Sequence, residues 1–367
     1  MQILNPKHLP TYSKKLEMCL HIFLIITSLF FTNCNPPEDT QTSYNFKTEG
    51  IFITNEGNFT YGNASLSYLD LAENKIYNNV FFNATGYPLG DVAQSATVWE
   101  DYVFIAINNS GKIYVINKNT FEYVALITGL TSPRYIQIIN SEKAYISDLY
   151  SNEITIFNPS TFEKTGSINL NATSEKMILW NNYVFATNWS FGNKLFKIDT
   201  ETNSVTGSLL VSYQPNSLVM DKNNKLWILS DASAHEDSIP KLTIVNPENM
   251  QVENIFEFQN SESSPKHLII NKTKDTLFFL NSSWAGNINN GGVYAMPINS
   301  EILPESPIIK ETNQLFYGMA ISNKSIIYLT DAIDFAQSGI LYRYQANGSL
   351  LDTFSVGIIP GNFVFKN

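Results

Sequence analysis

A short strand-like element recurs seven times along the chain, and this repeat constrains the fold more than any other feature of the sequence. Each copy runs from an aromatic or apolar pair through Thr or Ser to Asn or Asp, with small variations. The copies end at Asn55, Asn108, Asp148, Asn188, Asp231, Asn281 and Asp331. Successive ends lie roughly 40 to 53 residues apart, which is the period of a β-propeller blade.

Three further strands are predicted around each copy. A second β-branched or aromatic run follows the copy, and a more polar run comes after it. Another short run precedes six of the seven copies. Asn, Gly, Ser and Asp separate these runs, and helix-period patterns are scarce. Four strands per repeat indicate a propeller blade.

The two ends of the chain complete one another. The first repeat lacks its leading strand, whereas the chain ends on an extra one, Gly361–Lys366. Placing this strand innermost in the first blade, beside Ile51–Asn55, closes the ring and removes exposed sheet edges. We therefore predict an all-β fold, a seven-bladed β-propeller of four-stranded blades whose ring is closed by the C-terminal strand. A pair of β-sandwiches is the alternative, but the Greek-key spacing and central linker that it needs are absent from the sequence.

The N-terminus is typical of a targeting segment. Lys7, Lys14 and Lys15 precede an apolar run at 18–31, which suits a signal-peptide core and is short for a membrane span. Cys34 follows closely, as in a bacterial lipobox. We predict a lipoprotein signal peptide at 1–33, a lipidated Cys34 with a polar tether at 34–49, and the propeller at 50–367. Cleavage nearby, leaving Cys34 as a free thiol, is the alternative.

Charge and cysteine content exclude some partners and bonds. The net charge is −10 and no basic patch stands out, so we expect no nucleic acid partner. The two cysteines are Cys19, inside the apolar run, and Cys34. The mature domain is therefore expected to fold without a disulfide.

Two segments carry a resemblance to a known family. The segment Tyr183–Asn188, "YVFATN", resembles the repeated strand of YVTN-type, YncE-like seven-bladed propellers. The opening Gly50–Asp70, "GIFITNEGNFTYGNASLSYLD", resembles the start of a Bacteroidota family of lipoprotein propellers that includes the BtuG-type surface vitamin B12 binders. The resemblance implies an outer-membrane lipoprotein, anchored at the cell surface or on the periplasmic face. It also implies that the protein passes its ligand to a TonB-dependent transporter.

The candidate binding residues fall on one face of the predicted propeller, where the loops between second and third strands meet the connections between blades. Aromatic residues are frequent there, although strand interiors would be expected to hold them, and this favours recognition. The candidates are Glu56, Phe59, Tyr61, Tyr87, Arg134, Tyr150, Trp189, Phe191, His235, Trp284, Tyr317 and Phe335.

A corrinoid fits this set. Aromatic side chains would cover the macrocycle, and Asn, Ser and Gln would engage its amide arms. Arg134, Lys176 or Lys266 would meet the phosphate of its nucleotide loop. Cobalamin is expected only as a ligand, and no cofactor or metal is predicted. A carbohydrate or a protein partner is the alternative occupant.

An enzyme is the less favoured hypothesis. His235 and His267 follow the signal segment, and nothing in the sequence pairs either with a nucleophile and an orienting acid. Propeller lactonases bind Ca²⁺ through oxygen ligands, for which Glu56 and the strand-end residues Asn188, Asp231 and Asp331 are candidates. However, Asn or Asp recurs at that place in all seven repeats, which favours a turn-former whose side chain bonds its own backbone. Glu56 is the one charge of its turn that the repeat does not explain, and we expect it to contact a ligand at the rim.

Overall fold

The computed structural model describes residues 41–232, 238–259, 263–282 and 291–366. Their strands form seven four-stranded antiparallel sheets. The innermost strand of each sheet contacts the innermost strand of the next sheet, all the way round. The seven-bladed propeller predicted from the sequence is confirmed.

The strands are named in chain order, and each sheet is one blade. Blade 1 consists of β28 (Pro360–Lys366), β1 (Gly50–Asn55), β2 (Ser65–Asp70) and β3 (Lys75–Tyr77). Blade 2 consists of β4 (Ala93–Trp99), β5 (Tyr102–Ile107), β6 (Lys112–Asn117) and β7 (Tyr123–Ile127). Blade 3 consists of β8 (Pro133–Asn140), β9 (Lys143–Asp148), β10 (Glu153–Phe157) and β11 (Lys164–Asn169). Blade 4 consists of β12 (Met177–Trp180), β13 (Tyr183–Asn188), β14 (Lys194–Asp199) and β15 (Ser204–Leu210).

The remaining blades follow the same order from the inside outwards. Blade 5 consists of β16 (Pro215–Met220), β17 (Leu226–Ser230), β18 (Lys241–Asn246) and β19 (Gln251–Glu257). Blade 6 consists of β20 (Ser264–Ile270), β21 (Thr276–Ser282), β22 (Gly292–Pro297) and β23 (Ile309–Lys310). Blade 7 consists of β24 (Phe316–Ile321), β25 (Ile327–Asp331), β26 (Ser338–Tyr344) and β27 (Leu350–Ile358). A short helix, α1 (Val80–Thr85), lies in the connection between blades 1 and 2, and a 3-10 turn follows β5 at Asn108–Ser110.

The ring is closed by strand pairing between the two ends of the propeller. β28 runs antiparallel to β1, with Ile51 opposite Phe365 and Phe52 opposite Val364. Both faces of this blade are then packed against neighbouring blades. The predicted closing strand is thereby confirmed.

The second strand of each blade is apolar on both faces because it lies between two other blades. In β5, the five residues after Tyr102 are all buried. One apolar cluster joins Trp227 and Phe256 of blade 5 to Leu268 and Phe279 of blade 6. Aromatic and β-branched residues suit such a surface, so the repeated element is the part of each blade that carries the core.

The first residues of most inner strands form β-bulges, and hydroxyl groups fasten them. In blade 7, the hydroxyl of Thr330 accepts a hydrogen bond from the Gly318 amide at 2.8 Å and donates to the Pro360 carbonyl at 2.5 Å. In blade 3, the hydroxyl of Ser147 accepts from the Tyr135 amide at 3.0 Å. In blades 3 and 7, the Ser or Thr directly before the strand-end Asp therefore fastens the bulge. The hydroxyls of Thr54 and Ser230, at the same place in blades 1 and 5, have no hydrogen-bond partner among the described residues.

The strand-end Asn or Asp has two roles, one of which differs from the turn-forming role predicted. At Asp148 the carboxylate accepts the Tyr150 amide at 3.0 Å, which is the expected local turn. At Asn188 the side chain donates instead to the Thr173 carbonyl at 3.0 Å, on the connection that enters the blade. The Asp148 carboxylate also accepts the Ser132 amide at 2.8 Å, on the connection that enters its own blade. Both side chains therefore fasten a connection, the carboxylate by accepting from an amide and the Asn side chain by donating to a carbonyl.

The compact propeller unit begins at Thr42, within the stretch 34–49 that the sequence assigns to the tether. The Phe46 ring lies 4.8 Å from that of Tyr68 and 5.3 Å from that of Phe121. The Lys366 ammonium donates to the Phe46 carbonyl. The chain thus enters the propeller at the end where β1 begins and β28 ends.

None of the helices within the described ranges is both long and apolar enough to cross a membrane.

The bulge fasteners give a matched test of fold stability. Thr330→Val leaves the Gly318 amide without its acceptor, so the free energy of unfolding should fall by about 1–3 kcal/mol. Thr54 occupies the same place in blade 1, fully buried, and its hydroxyl has no partner among the described residues. Thr54→Val should therefore change the free energy by less than about 1 kcal/mol. Denaturant unfolding of both variants measures the difference, and equal losses would contradict the assigned role.

Candidate functional site

The candidate site lies at the channel mouth, which is the end of the central channel where the inner strands begin and the second strands end. The bulges there change which way successive side chains point. In blade 3, Pro133 pairs with Asp148 and Ile136 pairs with Ile146. Arg134 and Tyr135 therefore lie opposite the single residue Ser147. The side chains of these bulged residues and of the inter-blade connections reach across to neighbouring blades.

Arg134 is the centre of the first charged group. Its guanidinium forms two hydrogen bonds to the carboxylate of Glu175, at 2.8 and 2.7 Å. It also donates to the side-chain carbonyl of Gln94, whose amide donates to the Tyr135 hydroxyl at 3.3 Å. The side chains of Arg134 and Glu175 are only 13% and 6% exposed. Burial alone would lower the pKa of Arg134, but the Glu175 carboxylate holds it above its usual range.

Glu56 and Tyr317 form the second group. The Tyr317 hydroxyl lies 3.1 and 3.0 Å from the two carboxylate oxygens of Glu56. Burial raises the pKa of Glu56 to about 7, against the opposing effects of Arg134, the Tyr317 hydrogen bond and Lys266. This carboxyl group is therefore divided between its neutral and charged forms near neutral pH. It lies inside the mouth, not at the rim as the sequence suggested.

A glycine makes room for this pair. A Cβ atom on Gly361 would lie 2.7 Å from a Glu56 carboxylate oxygen and 3.1 Å from the Tyr317 ring. Only a residue without a side chain allows both groups to approach β28 this closely.

Two lysines face the same mouth. The Lys176 ammonium lies 3.6 Å from the centroid of the Tyr135 ring, and the Lys266 ammonium lies 5.1 Å from that of Tyr317. Burial lowers the pKa of Lys176 to about 8, opposed by Glu175. Burial likewise lowers the pKa of Lys266 to about 8. Both ammonium groups remain charged at neutral pH.

His267 follows Lys266 in β20 and lines the channel together with Lys176. Burial, followed by the charges of Lys266 and Lys176, lowers its pKa to about 3, so the imidazole is neutral. Below it the channel contains a cavity of about 410 Å³, within the range of small-molecule sites. Its lining includes Lys176, His267, Ser217, Asn362, Met319 and Phe363.

Four predicted aromatic residues are exposed on loops at the mouth end of the propeller. The exposed fractions are 66% for Phe59, 78% for Tyr61, 69% for Tyr150 and 84% for Phe191. These loops follow β1, β9 and β13, so the four rings come from blades 1, 3 and 4. They present apolar area to solvent around the mouth.

Two other predicted aromatic residues support the charged groups instead. The Trp189 ring lies 5.8 Å from the Arg134 guanidinium, and its indole N–H donates to Asp231 at 3.3 Å. The Phe335 ring meets the Tyr317 ring edge-on at 5.6 Å. Both are partly buried. We assign them to holding Arg134 and Tyr317 in place.

The structure does not bring every candidate residue to the mouth. Tyr87 is carried outwards with the segment after α1 and meets Tyr123 of the outermost strand β7 at 6.3 Å. It therefore lies on the outer wall of the propeller. His235, Trp284 and Cys34 lie outside the described residues.

Sequence reasoning missed three members of the cluster, Gln94, Tyr135 and Glu175. Each stands at the start of an inner strand or directly before it, as do Arg134 and Lys176. A polar or charged residue at the start of a predicted inner strand was the sequence feature that could have identified them. Gln94 and Tyr135 lie in the bulges of blades 2 and 3, which leave no mark on the hydrophobic pattern.

The residues considered for calcium each have other partners in the structure. The Asp331 carboxylate accepts the Leu315 and Ile333 amides at 2.9 and 2.8 Å, and Asn188 is bonded to Thr173. Among the residues that the structure describes, no group of three or more His, Cys, Asp or Glu residues is placed to hold a metal ion.

A family model described as "Domain of unknown function (DUF5074)" matches residues 49–356. No curated protein matches the sequence.

Several solved structures share the fold. A quinonprotein alcohol dehydrogenase-like protein from Bacteroides thetaiotaomicron is 13% identical with a TM-score of 0.66, covering 88% of this chain and 79% of that one. A putative 6-phosphogluconolactonase from Bacteroides fragilis is 12% identical with a TM-score of 0.63, covering 88% and 99%. A protein from Lactobacillus plantarum is 10% identical with a TM-score of 0.64, covering 89% and 100%. At these identities the likeness shows the fold alone.

The raised pKa of Glu56 predicts a pH-dependent cost in stability. Between its ordinary value of 4.5 and about 7, the unfolded chain releases this proton while the folded chain keeps it, so folding weakens as the pH rises through this window. Glu56→Gln removes the cost and should raise the free energy of unfolding at pH 8 by up to about 3 kcal/mol, with little change at pH 4.5.

Urea unfolding at the two pH values measures this effect. Glu142→Gln, which alters an exposed carboxylate in a turn, is the control and should show no such gain. An equal effect of Glu56→Gln at both pH values would contradict the assignment.

Proposed function

This chain belongs to the DUF5074 family, and we propose that it is a non-enzymatic binding protein that captures a corrinoid at the channel mouth. Delivery of the corrinoid to an outer-membrane TonB-dependent transporter is part of the proposal. The observation that carries it is the presence of exposed aromatic rings and partly buried cations on one face of the propeller.

The exposed rings suit the apolar part of such a ligand. Phe59, Tyr61, Tyr150 and Phe191 are more than half exposed on loops of the mouth face. Rigid aromatic side chains supply contact area at little cost in conformational entropy. A flat macrocycle resting on them would cover the channel opening.

The mouth suits the charged part of the ligand. Its cations lie where burial strengthens their attraction for an anion relative to water. The phosphate of a corrinoid nucleotide loop is such an anion, and the protein as a whole, at −10, would otherwise repel it. Binding at this end therefore requires the local cations.

The path of the chain suits surface presentation. Residues 42–49 join the propeller at the end opposite the mouth, because β1 begins there. The described residues before β1 thereby leave the mouth accessible to ligand and transporter.

Proton transfer is a second candidate function, favoured by one observation. A carboxyl group with a pKa near 7, hydrogen-bonded to a tyrosine, is suited to general acid–base catalysis. A carbohydrate lactone or ester would be the substrate class to screen. Glu56→Gln distinguishes the functions, because it should abolish turnover by an enzyme but leave capture of a ligand measurable.

The capture of a corrinoid is tested by calorimetric titration of the mature chain with cyanocobalamin. We expect binding at micromolar ligand or below, and Tyr150→Ala or Phe191→Ala should weaken it by about tenfold through loss of contact area. Tyr87→Ala is the matched control, because this tyrosine is also exposed but lies on the outer wall. Absence of binding at micromolar cyanocobalamin would overturn the corrinoid proposal, and equal weakening by Tyr87→Ala would mean that the wrong face was chosen.

A further inference from the structure

We propose that a pocket between the start of β2 and helix α1, at the mouth end of blade 1, binds the ring of a neutral sugar. Residues 62–66, 79, 81–82 and 88–89 line this blade-1 pocket, and its volume is about 260 Å³. The site goes beyond the proposed capture of a corrinoid, and it is testable with sugars alone.

An insertion in the chain creates the pocket. The connection between blades 1 and 2 spans residues 78–92 and contains α1. Residues 128–132 are enough to connect blades 2 and 3, and residues 211–214 are enough to connect blades 4 and 5. The propeller repeat therefore does not account for α1. Additional chain on the loop face of a rigid scaffold commonly carries function.

The pocket is pre-formed, because both of its walls are fixed to the propeller. Phe81 and Leu89 of the insertion belong to the apolar core that also contains Leu66 of β2. The Ala64 amide donates a hydrogen bond to the Gly90 carbonyl at 3.0 Å, which joins the strand side of the pocket to the insertion. A ligand that enters such a pocket does not have to order its walls.

The apolar part of the pocket suits the C–H face of a pyranose ring. Leu66, Phe81 and Leu89 are buried and form its base. Phe82 lines the pocket with 55% of its surface exposed, although its neighbours Val80 and Phe81 are buried. An exposed aromatic ring beside an apolar depression offers a flat surface on which sugar C–H groups can pack.

Asn79 supplies hydrogen-bonding groups at the same pocket. Its side chain makes no capping hydrogen bond to α1, and it has no hydrogen-bond partner among the described residues. A carboxamide offers two donors and an acceptor, and each sugar hydroxyl both donates and accepts. Asn79 can therefore bond to two neighbouring hydroxyl groups of one ring.

The charge of the pocket excludes other ligand classes. Among the described residues that line it, none is charged. A carboxylate or phosphate would lose its hydration here without gaining a charged partner. A purely apolar ligand would cover the Asn79 carboxamide without pairing it, which is also unfavourable. A neutral sugar satisfies both parts of the pocket.

Sugar binding is tested by saturation-transfer difference NMR of the mature chain. The probes are glucose, galactose, mannose, xylose and N-acetylglucosamine, each at millimolar concentration. We expect saturation transfer to at least one of them, strongest at the C–H protons of one ring face. Absence of transfer to all five would overturn the site, and transfer only to an apolar probe such as indole would overturn the sugar as its ligand.

Two substitutions locate the binding. Phe82→Ala and Asn79→Gly should each weaken the sugar by about tenfold, through loss of packing area and of hydrogen bonds. Alanine favours the helix, and glycine suits the positive φ of 55° at position 79, so the fold should persist.

Each substitution has a matched control. Asn181→Gly alters another exposed Asn with a positive φ, in the turn between β12 and β13. Leu210→Ala alters another exposed apolar side chain, at the end of β15. Both controls should leave sugar affinity unchanged.

A third variant blocks the pocket. A Cβ atom on Gly62 would meet no atom within 4 Å, and asparagine tolerates the positive φ at this position. Gly62→Asn should therefore fold, keep the parental melting temperature and lose saturation transfer. Sugar binding that survives both Gly62→Asn and Phe82→Ala would overturn the site.

Titrations with cyanocobalamin separate this inference from the proposed function. Sugar binding without cyanocobalamin binding supports the blade-1 pocket and removes the corrinoid. Cyanocobalamin binding without sugar binding supports capture and overturns the pocket. Asn79→Gly should leave cyanocobalamin affinity unchanged, and a loss of that affinity would overturn the pocket as a separate site.

Discussion

Pairing between β1 and β28 is the constraint on which the rest of the structure depends. It joins the two ends of the propeller in one sheet, so that every inner strand has a neighbour on both sides. Seven inner strands then start at the same end of one channel. Any polar residue at the beginning of an inner strand is thereby brought to a shared opening, whatever its distance along the sequence.

This geometry gathers charges that the sequence keeps far apart. Arg134 and Glu175 join neighbouring blades, and Glu56 meets Tyr317 across the closing seam between blades 1 and 7. Inside the mouth, burial penalises each charge that lacks a partner. Arg134 and Glu175 offset this penalty by pairing with each other. The Glu56 carboxyl group reduces it by being about half neutral at pH 7. Lys176 stays charged, with its ammonium over the Tyr135 ring.

The fold could be predicted from the sequence because the buried strand of each blade recurs as a local sequence pattern. The closing strand could be predicted because Gly361–Lys366 had no other blade to join. The site could be predicted only in part. Arg134 and Tyr317 were expected at the mouth from their position between blades. Glu175 was not, because its contact with Arg134 depends on how blades 3 and 4 pack together. Tyr87 also lies in a connection between blades. However, it follows α1, and this helix places it on the outer wall.

The central claim is that ring closure gathers residues from separate blades into one mouth that captures the ligand. Crystals of the mature protein grown with cyanocobalamin test it most directly, since cobalt scatters anomalously. The account predicts one corrinoid over the channel mouth, in contact with Tyr150 and Phe191. A corrinoid bound only on the outer wall, for instance beside Tyr87, with an empty mouth, would contradict it.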